Sequence, residues 1–167
     1  MSSPSAYDLA QAPLRRLQDV IHTIEANLTV DSTAVPDAVI HGVNDVYSLW
    51  ESWCRRVIQK VAWADQNAQV RGDAEGETVA ALCVARGGNT HDLVTFGEFL
   101  GFGSSPFGLG PFGRASWFWQ PYSPTIKNAA IAERQGWYHD RVEKQSVLPV
   151  FQASERWLSR EVAHLPR

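Results

Sequence analysis

Apolar residues at Val39, Val43, Val46/Tyr47, Trp50, Trp53/Cys54, Val57, Val61 and Ala64/Ala68 recur at steps of three and four. That is the repeat of one helix face, and no other stripe in the chain is as long. A helix of this kind must bury its stripe against something, and the chain supplies a partner immediately upstream. Leu14, Leu17, Val20/Ile21, Ile24 and Leu28 make a second three-four stripe running from Asp8 onward, with Pro13 expected near its first turn. The connection Thr29 to Pro36 is short, which predicts that the two helices lie antiparallel. Residues 1–6 read as a Ser/Pro tail.

Downstream, the polar segment Gln69 to Glu77, with Gly72 and Gly76, predicts a turn. A third helix is predicted from about Thr78 to Phe99, because Val79, Leu82, Cys83, Leu93, Val94 and Phe96 fit a helical face. Composition changes at Gly101. From there to Pro124 the chain is rich in Gly, Pro and Phe and cannot be helical throughout, and Ser116-Trp117-Phe118-Trp119 suggests a short strand. Aromatic side chains bury large areas, so an ordered loop covering the helices is favoured over a linker. A last helical region spans Asn128 to Ala163 with a break near Ser146 or Pro149. Ser146 is its candidate N-cap, and Val150/Phe151, Ser154 and Trp157/Leu158 form its buried stripe. Arg156 and Arg160, one turn apart, read as a solvated face. The expected architecture is all-α: one domain over residues 1–167, a bundle of four or five helices with an irregular aromatic insertion.

The length of 167 residues and the 44 % hydrophobic, 20 % charged balance suit one globular domain with a proper core. A net charge of −3 argues against a protein that coats nucleic acid, though a local binding cleft is compatible with it. Cys54 and Cys83 both sit in apolar helical patterns and read as buried thiols of a reducing compartment. No zinc-ligand spacing occurs, the five His are scattered, and no cofactor or metal is expected. No leader pattern or membrane-length apolar run is seen, so a soluble, cytoplasmic protein is expected.

The segment that points to chemistry is Arg86-Gly87-Gly88-Asn89-Thr90-His91. An Arg can stabilise the charge of a pentacovalent phosphorus, and a His can move a proton near neutral pH. Together they suffice to cleave RNA without a metal. The glycine pair costs a helix interior about 1 kcal/mol per residue relative to Ala, so it implies close backbone approach or a break. On a straight helix Arg86 and His91 would stand about 140° apart and about 7.5 Å along the axis. One helix could not gather them, whereas a cleft between two copies across a two-fold axis could.

The chain resembles the HEPN superfamily of all-α domains. The resemblance rests on two amphipathic helices before the motif, the Arg86-X4-His91 spacing, and the approach Ala81-Leu82-Cys83-Val84-Ala85-Arg86. It extends to an aromatic stretch like Trp117-Phe118-Trp119 and a C-terminal helix like Tyr138 to Leu158. It covers most of the chain at low specificity. The resemblance implies a homodimeric, metal-independent endoribonuclease of toxin or defence type, with RNA as substrate and a cognate antitoxin or regulatory protein as partner. Attack of the ribose 2′-OH would leave a 2′,3′-cyclic phosphate. His91 would be the general acid or base, and Arg86 would bind and stabilise the phosphorane. Where the family has a polar residue after the Arg this chain has Gly87, and Asn89 is the auxiliary candidate in its place. Leu93 stands where members modified by nucleotidyltransferases carry Tyr, so that mode of silencing is not expected. The competing reading is a catalytically silent module of the same fold that docks a protein through Phe102, Phe107 and Phe112.

Overall fold

The computed structural model describes residues 4–86, 93–98, 115–125 and 127–167. Among them are six helices and one two-stranded sheet. The elements are α1 (Ala6–Asn27), α2 (Ala34–Arg56), α3 (Trp63–Val70), α4 (Ala74–Ala85), β1 (Val94–Glu98), β2 (Ala115–Trp119), α5 (Ala129–Arg141) and α6 (Val147–Val162). The predominantly α bundle expected from the sequence is present, with six helices where four or five were expected.

α1 and α2 are antiparallel, as the short connection predicts. Arg16 Nε donates to Asp45 Oδ1 at 3.0 Å, while four residues further along α1 Val20 meets Gly42. The two helices could not come as close with a side chain at that point. A Cβ on Gly42 would lie 2.6 Å from the Phe151 ring of α6 and 2.9 Å from Val20. α1 starts earlier than expected. Ser5 and Asp8 form a reciprocal capping box, so Ser5 and Ala6 belong to the helix start rather than to a tail, and Pro13 falls inside the helix rather than in its first turn.

The long stripe does not continue past Val57. α2 ends at Arg56, Gln59 takes a left-handed φ of 53°, and α3 begins at Trp63. Val61, expected on the buried face, is 82 % exposed, and Ala64 and Ala68 are exposed as well. Spacing alone could not reveal this break, because the apolar steps continue through it in phase.

α4 is the central element. Gly76 through Ala85 are all buried, with α2, α3, α5 and α6 packed around them. A helix apolar on every side belongs in the middle of a bundle. Its start is fixed by the Asp73 N-cap, whose carboxylate accepts from the Glu75 and Gly76 amides. The same carboxylate takes the Trp157 indole N–H and an Arg160 N–H, each at 3.0 Å, which ties the start of α4 to α6. Arg156 and Arg160 are exposed, and they pair with Glu75 in the first turn of α4 and with its N-cap Asp73 respectively. Trp50, Trp53 and Trp157 pack ring against ring with centroids 4.9–5.7 Å apart, joining α2 to α6.

The third helix ends sooner than expected. It stops at Ala85, and Val94–Glu98 is a strand, so no single helix runs from 78 to 99. Leu93 and Val94 are buried as the pattern suggested, but Val94 and Phe96 lie on β1. Glycine's weak helix propensity gives the stop its physical reason, since Gly87 and Gly88 follow the last helical turn. β1 pairs antiparallel with β2, with Val94 opposite Trp119 and Phe96 opposite Trp117, and β2 contains the short aromatic strand read from the sequence. Trp117 and Trp119 are buried against the bundle. Ser146 is the N-cap residue of α6, though its side chain makes no capping bond.

Candidate functional site

Arg86 is the C-cap of α4, where the carbonyl end of the helix favours a cation. From there its side chain turns back onto α2. Its Nε donates to Asn44 Oδ1 at 3.0 Å, and its guanidinium lies 4.0 Å from the centre of the Tyr47 ring. Asn44 and Tyr47 are neighbours on α2 because they are three residues apart. Asn44 is itself fixed, since its Nδ2 donates to the Ile40 carbonyl, which leaves the oxygen for Arg86. Tyr47 donates its hydroxyl to Glu51 at 2.8 Å, and this bond holds the phenol above its ordinary range and therefore neutral.

The clamp leaves Arg86 without an acidic partner among the described residues. Among the described residues its contacts are one neutral amide and one ring face, which leave the charge available to a ligand. Arg86 lines a cleft of about 630 Å³ bounded by α2, the start of α3, the end of α4 and the segment leading into α5. Lys127 supplies a second cation, Tyr47, Trp63 and Tyr122 supply aromatic walls, and Thr125 supplies a hydroxyl. No carboxylate lines the cleft among the described residues. Tyr122 is held edge-on against Tyr138 at 5.9 Å, and Tyr138 donates to the Gln120 carbonyl. Two cations beside three aromatic faces can take an anion that carries a flat ring.

Of the residues singled out in the sequence, Arg86 is in the cleft. Asn89 and His91 lie outside the described residues, and so do Phe102, Phe107 and Phe112. α4 ends at Ala85, so the expectation of one helix carrying Arg86 and His91 about 140° apart does not hold. Cys83 also borders the cleft. Burial pushes its thiol up to about 12, so it is protonated and inert at neutral pH. Among the described residues no cluster of three or more His, Cys, Asp and Glu could hold a metal ion. No described helix is long and apolar enough to cross a membrane.

Sequence reasoning missed Asn44, Tyr47 as a functional residue, Tyr122, Thr125 and Lys127. Tyr47 falls within the apolar stripe of α2, and its position at the edge of that stripe is the available signal. The others come from α2 and from residues 122–127, two separated segments that only the fold joins. No protein-family model, curated protein or solved structure matches the chain.

Proposed function

We propose that the chain binds RNA through the Arg86 cleft and cleaves it without a metal, as a HEPN-type endoribonuclease. The observation that carries this reading is the cleft itself: Arg86 held by neutral partners beside Lys127, with stacking faces at Tyr47, Trp63 and Tyr122. Such a surface suits single-stranded nucleic acid, whose bases stack on aromatic rings while its phosphates meet cations. In this reading Arg86 stabilises the charge that grows on the phosphorus as the 2′-OH attacks. His91 moves the proton, and Asn89 is the auxiliary polar group. The homodimer rests on the resemblance alone, now that the helical geometry that also called for it is gone.

The test is incubation of the purified protein with total RNA in EDTA, beside Arg86→Lys and His91→Ala. Cleavage leaving 2′,3′-cyclic phosphate ends, resistant to chelator and lost in both variants, supports the proposal. Cleavage that needs a divalent ion, or that survives both substitutions, overturns it.

One observation favours a second reading, a catalytically silent interaction module of the same fold. The Asn44 and Tyr47 clamp also serves simply to fasten the end of α4 to α2. On that reading the wild type cleaves no RNA, and Phe107→Ser and Phe112→Ser weaken binding of a protein partner without unfolding the bundle.

A further inference from the structure

Arg134 of α5 is 1 % exposed, and among the described residues no carboxylate lies within ion-pairing distance of it. Its immediate partners are neutral. Nε donates to Asn67 Oδ1 at 2.6 Å, and Nη2 donates to Gln66 Oε1 at 2.9 Å. The guanidinium stacks 4.3 Å from the centre of the Trp63 ring and 5.2 Å from that of Trp50.

Both amides are fixed in the orientation the cation needs. Gln66 Nε2 donates to the Lys60 and Val61 carbonyls in the α2–α3 connection, so its oxygen faces Arg134. Asn67 Nδ2 donates to the Ala130 carbonyl and to Glu133 Oε2, so its oxygen does the same. Glu133 makes no direct bond to Arg134 and acts on it only through space, since one of its oxygens takes Asn67 and the other takes Arg71. The nearby thiols supply no charge either, since burial pushes Cys54 and Cys83 up to about 12. Burial also pushes the Arg134 guanidinium down from the ordinary arginine range. A buried cation left this way costs several kcal/mol unless a counter-charge reaches it.

A guanidinium carries five N–H donors, and the two amides engage Nε and Nη2, leaving Nη1 with no partner among the described residues. Arg134 lines a small cavity of about 180 Å³ beside the Arg86 cleft, with Tyr47 and Trp63 as common walls. Lys60 and Arg55 stand at its rim, and Glu51 is the one carboxylate on its lining among the described residues. Glu51 is occupied by the Tyr47 hydroxyl and by Arg55.

We propose that this cavity is an oxyanion site, taking a phosphate group on Arg134 with Lys60 and Arg55 closing over it. A phosphate offers several acceptor oxygens to the donors the amides leave open, and it brings a negative charge into direct contact with the guanidinium. The group is either free phosphate or the terminal phosphate of a nucleotide. The site does not depend on RNA cleavage at Arg86.

The test is titration with inorganic phosphate at constant ionic strength against chloride, following melting temperature and tryptophan emission. It is run in wild type and in Arg86→Ala, so that the neighbouring cleft is separated. The expected result is a saturable rise in melting temperature with a change in Trp50 and Trp63 emission, present in both proteins. Lys60→Glu should weaken the apparent affinity about tenfold, and Arg134→Met should remove the response. A parallel titration with a nucleoside 5′-monophosphate assigns the source: tighter binding than phosphate points to a nucleotide terminus, weaker binding to the free ion. A response no larger than chloride gives overturns the proposal, as does one that disappears in Arg86→Ala or keeps wild-type affinity in Lys60→Glu. Should Arg134→Met fail to fold, Lys60→Glu decides alone, because Lys60 is exposed.

Discussion

The guanidinium of Arg86 lies 4.0 Å from the centre of the Tyr47 ring, while its Nε is bonded to Asn44 one turn away on the same helix. The end of the central helix is thereby fastened to α2 without spending the arginine's charge on an acid. Arg86→Lys keeps the charge but loses the planar face that stacks on Tyr47 and the fork that holds two phosphate oxygens. RNA cleavage and RNA binding should both fall by more than about tenfold, while stability drops by only about 1 kcal/mol, because Arg86 is exposed. Paired cleavage and urea-melting curves check this, and a variant that unfolds instead would give the clamp a purely structural role.

Glu77 is 5 % exposed in α4 and depends on Arg141 of α5, whose Nε donates to it at 2.6 Å. Its other oxygen accepts the Gly72 amide at 2.8 Å. Arg141→Met should cost about 3 kcal/mol, since it strands a buried carboxylate. Adding Glu77→Gln should restore part of that loss. Urea denaturation of the single and double variants measures both steps.

Two glycines should respond to alanine in opposite directions. Gly42→Ala places a Cβ 2.6 Å from the Phe151 ring and should destabilise by about 1–3 kcal/mol. Gly136→Ala lies in α5 with nothing within 4 Å of the new Cβ, and should stabilise by up to about 1 kcal/mol. Thermal melts of both variants decide it.

The thiols of Cys54 and Cys83 are pushed up to about 12 by burial, from an ordinary value of 9.0. A folded-state value above the unfolded one means a contribution that is whole below pH 9.0 and is lost as pH rises toward about 12. Stability should therefore decline over that alkaline window, and Cys54→Ala/Cys83→Ala should decline less. At pH 8 both native thiols should react with a disulfide reagent only after denaturant is added. Rapid labelling of the folded protein would contradict their burial.

The sequence by itself determined that the chain is a helical bundle, and much of which residues fill it. Leu17, Val20 and Ile24 of α1, Val39, Val43, Val46 and Trp50 of α2, and Phe151, Ser154 and Trp157 of α6 repeat every three or four positions, and all are buried. Periodicity is a local signal, and it is reliable where one helix face alone meets the core. It failed where that condition fails. The stripe runs in phase across the break at Gln59, so Val61 looked buried and is 82 % exposed. β1 carries too few apolar residues to tell a strand from the end of a helix. Arg86 was legible as a residue with chemistry, but the partners that hold it and the walls of its cleft were not. The Arg134 cavity was wholly invisible: Gln66 and Asn67 meet an arginine 68 and 67 residues away in sequence. Only tertiary packing decides which polar side chains share a buried volume, because their hydrogen bonds and the loss of solvent around them exist only once α3 and α5 are in contact.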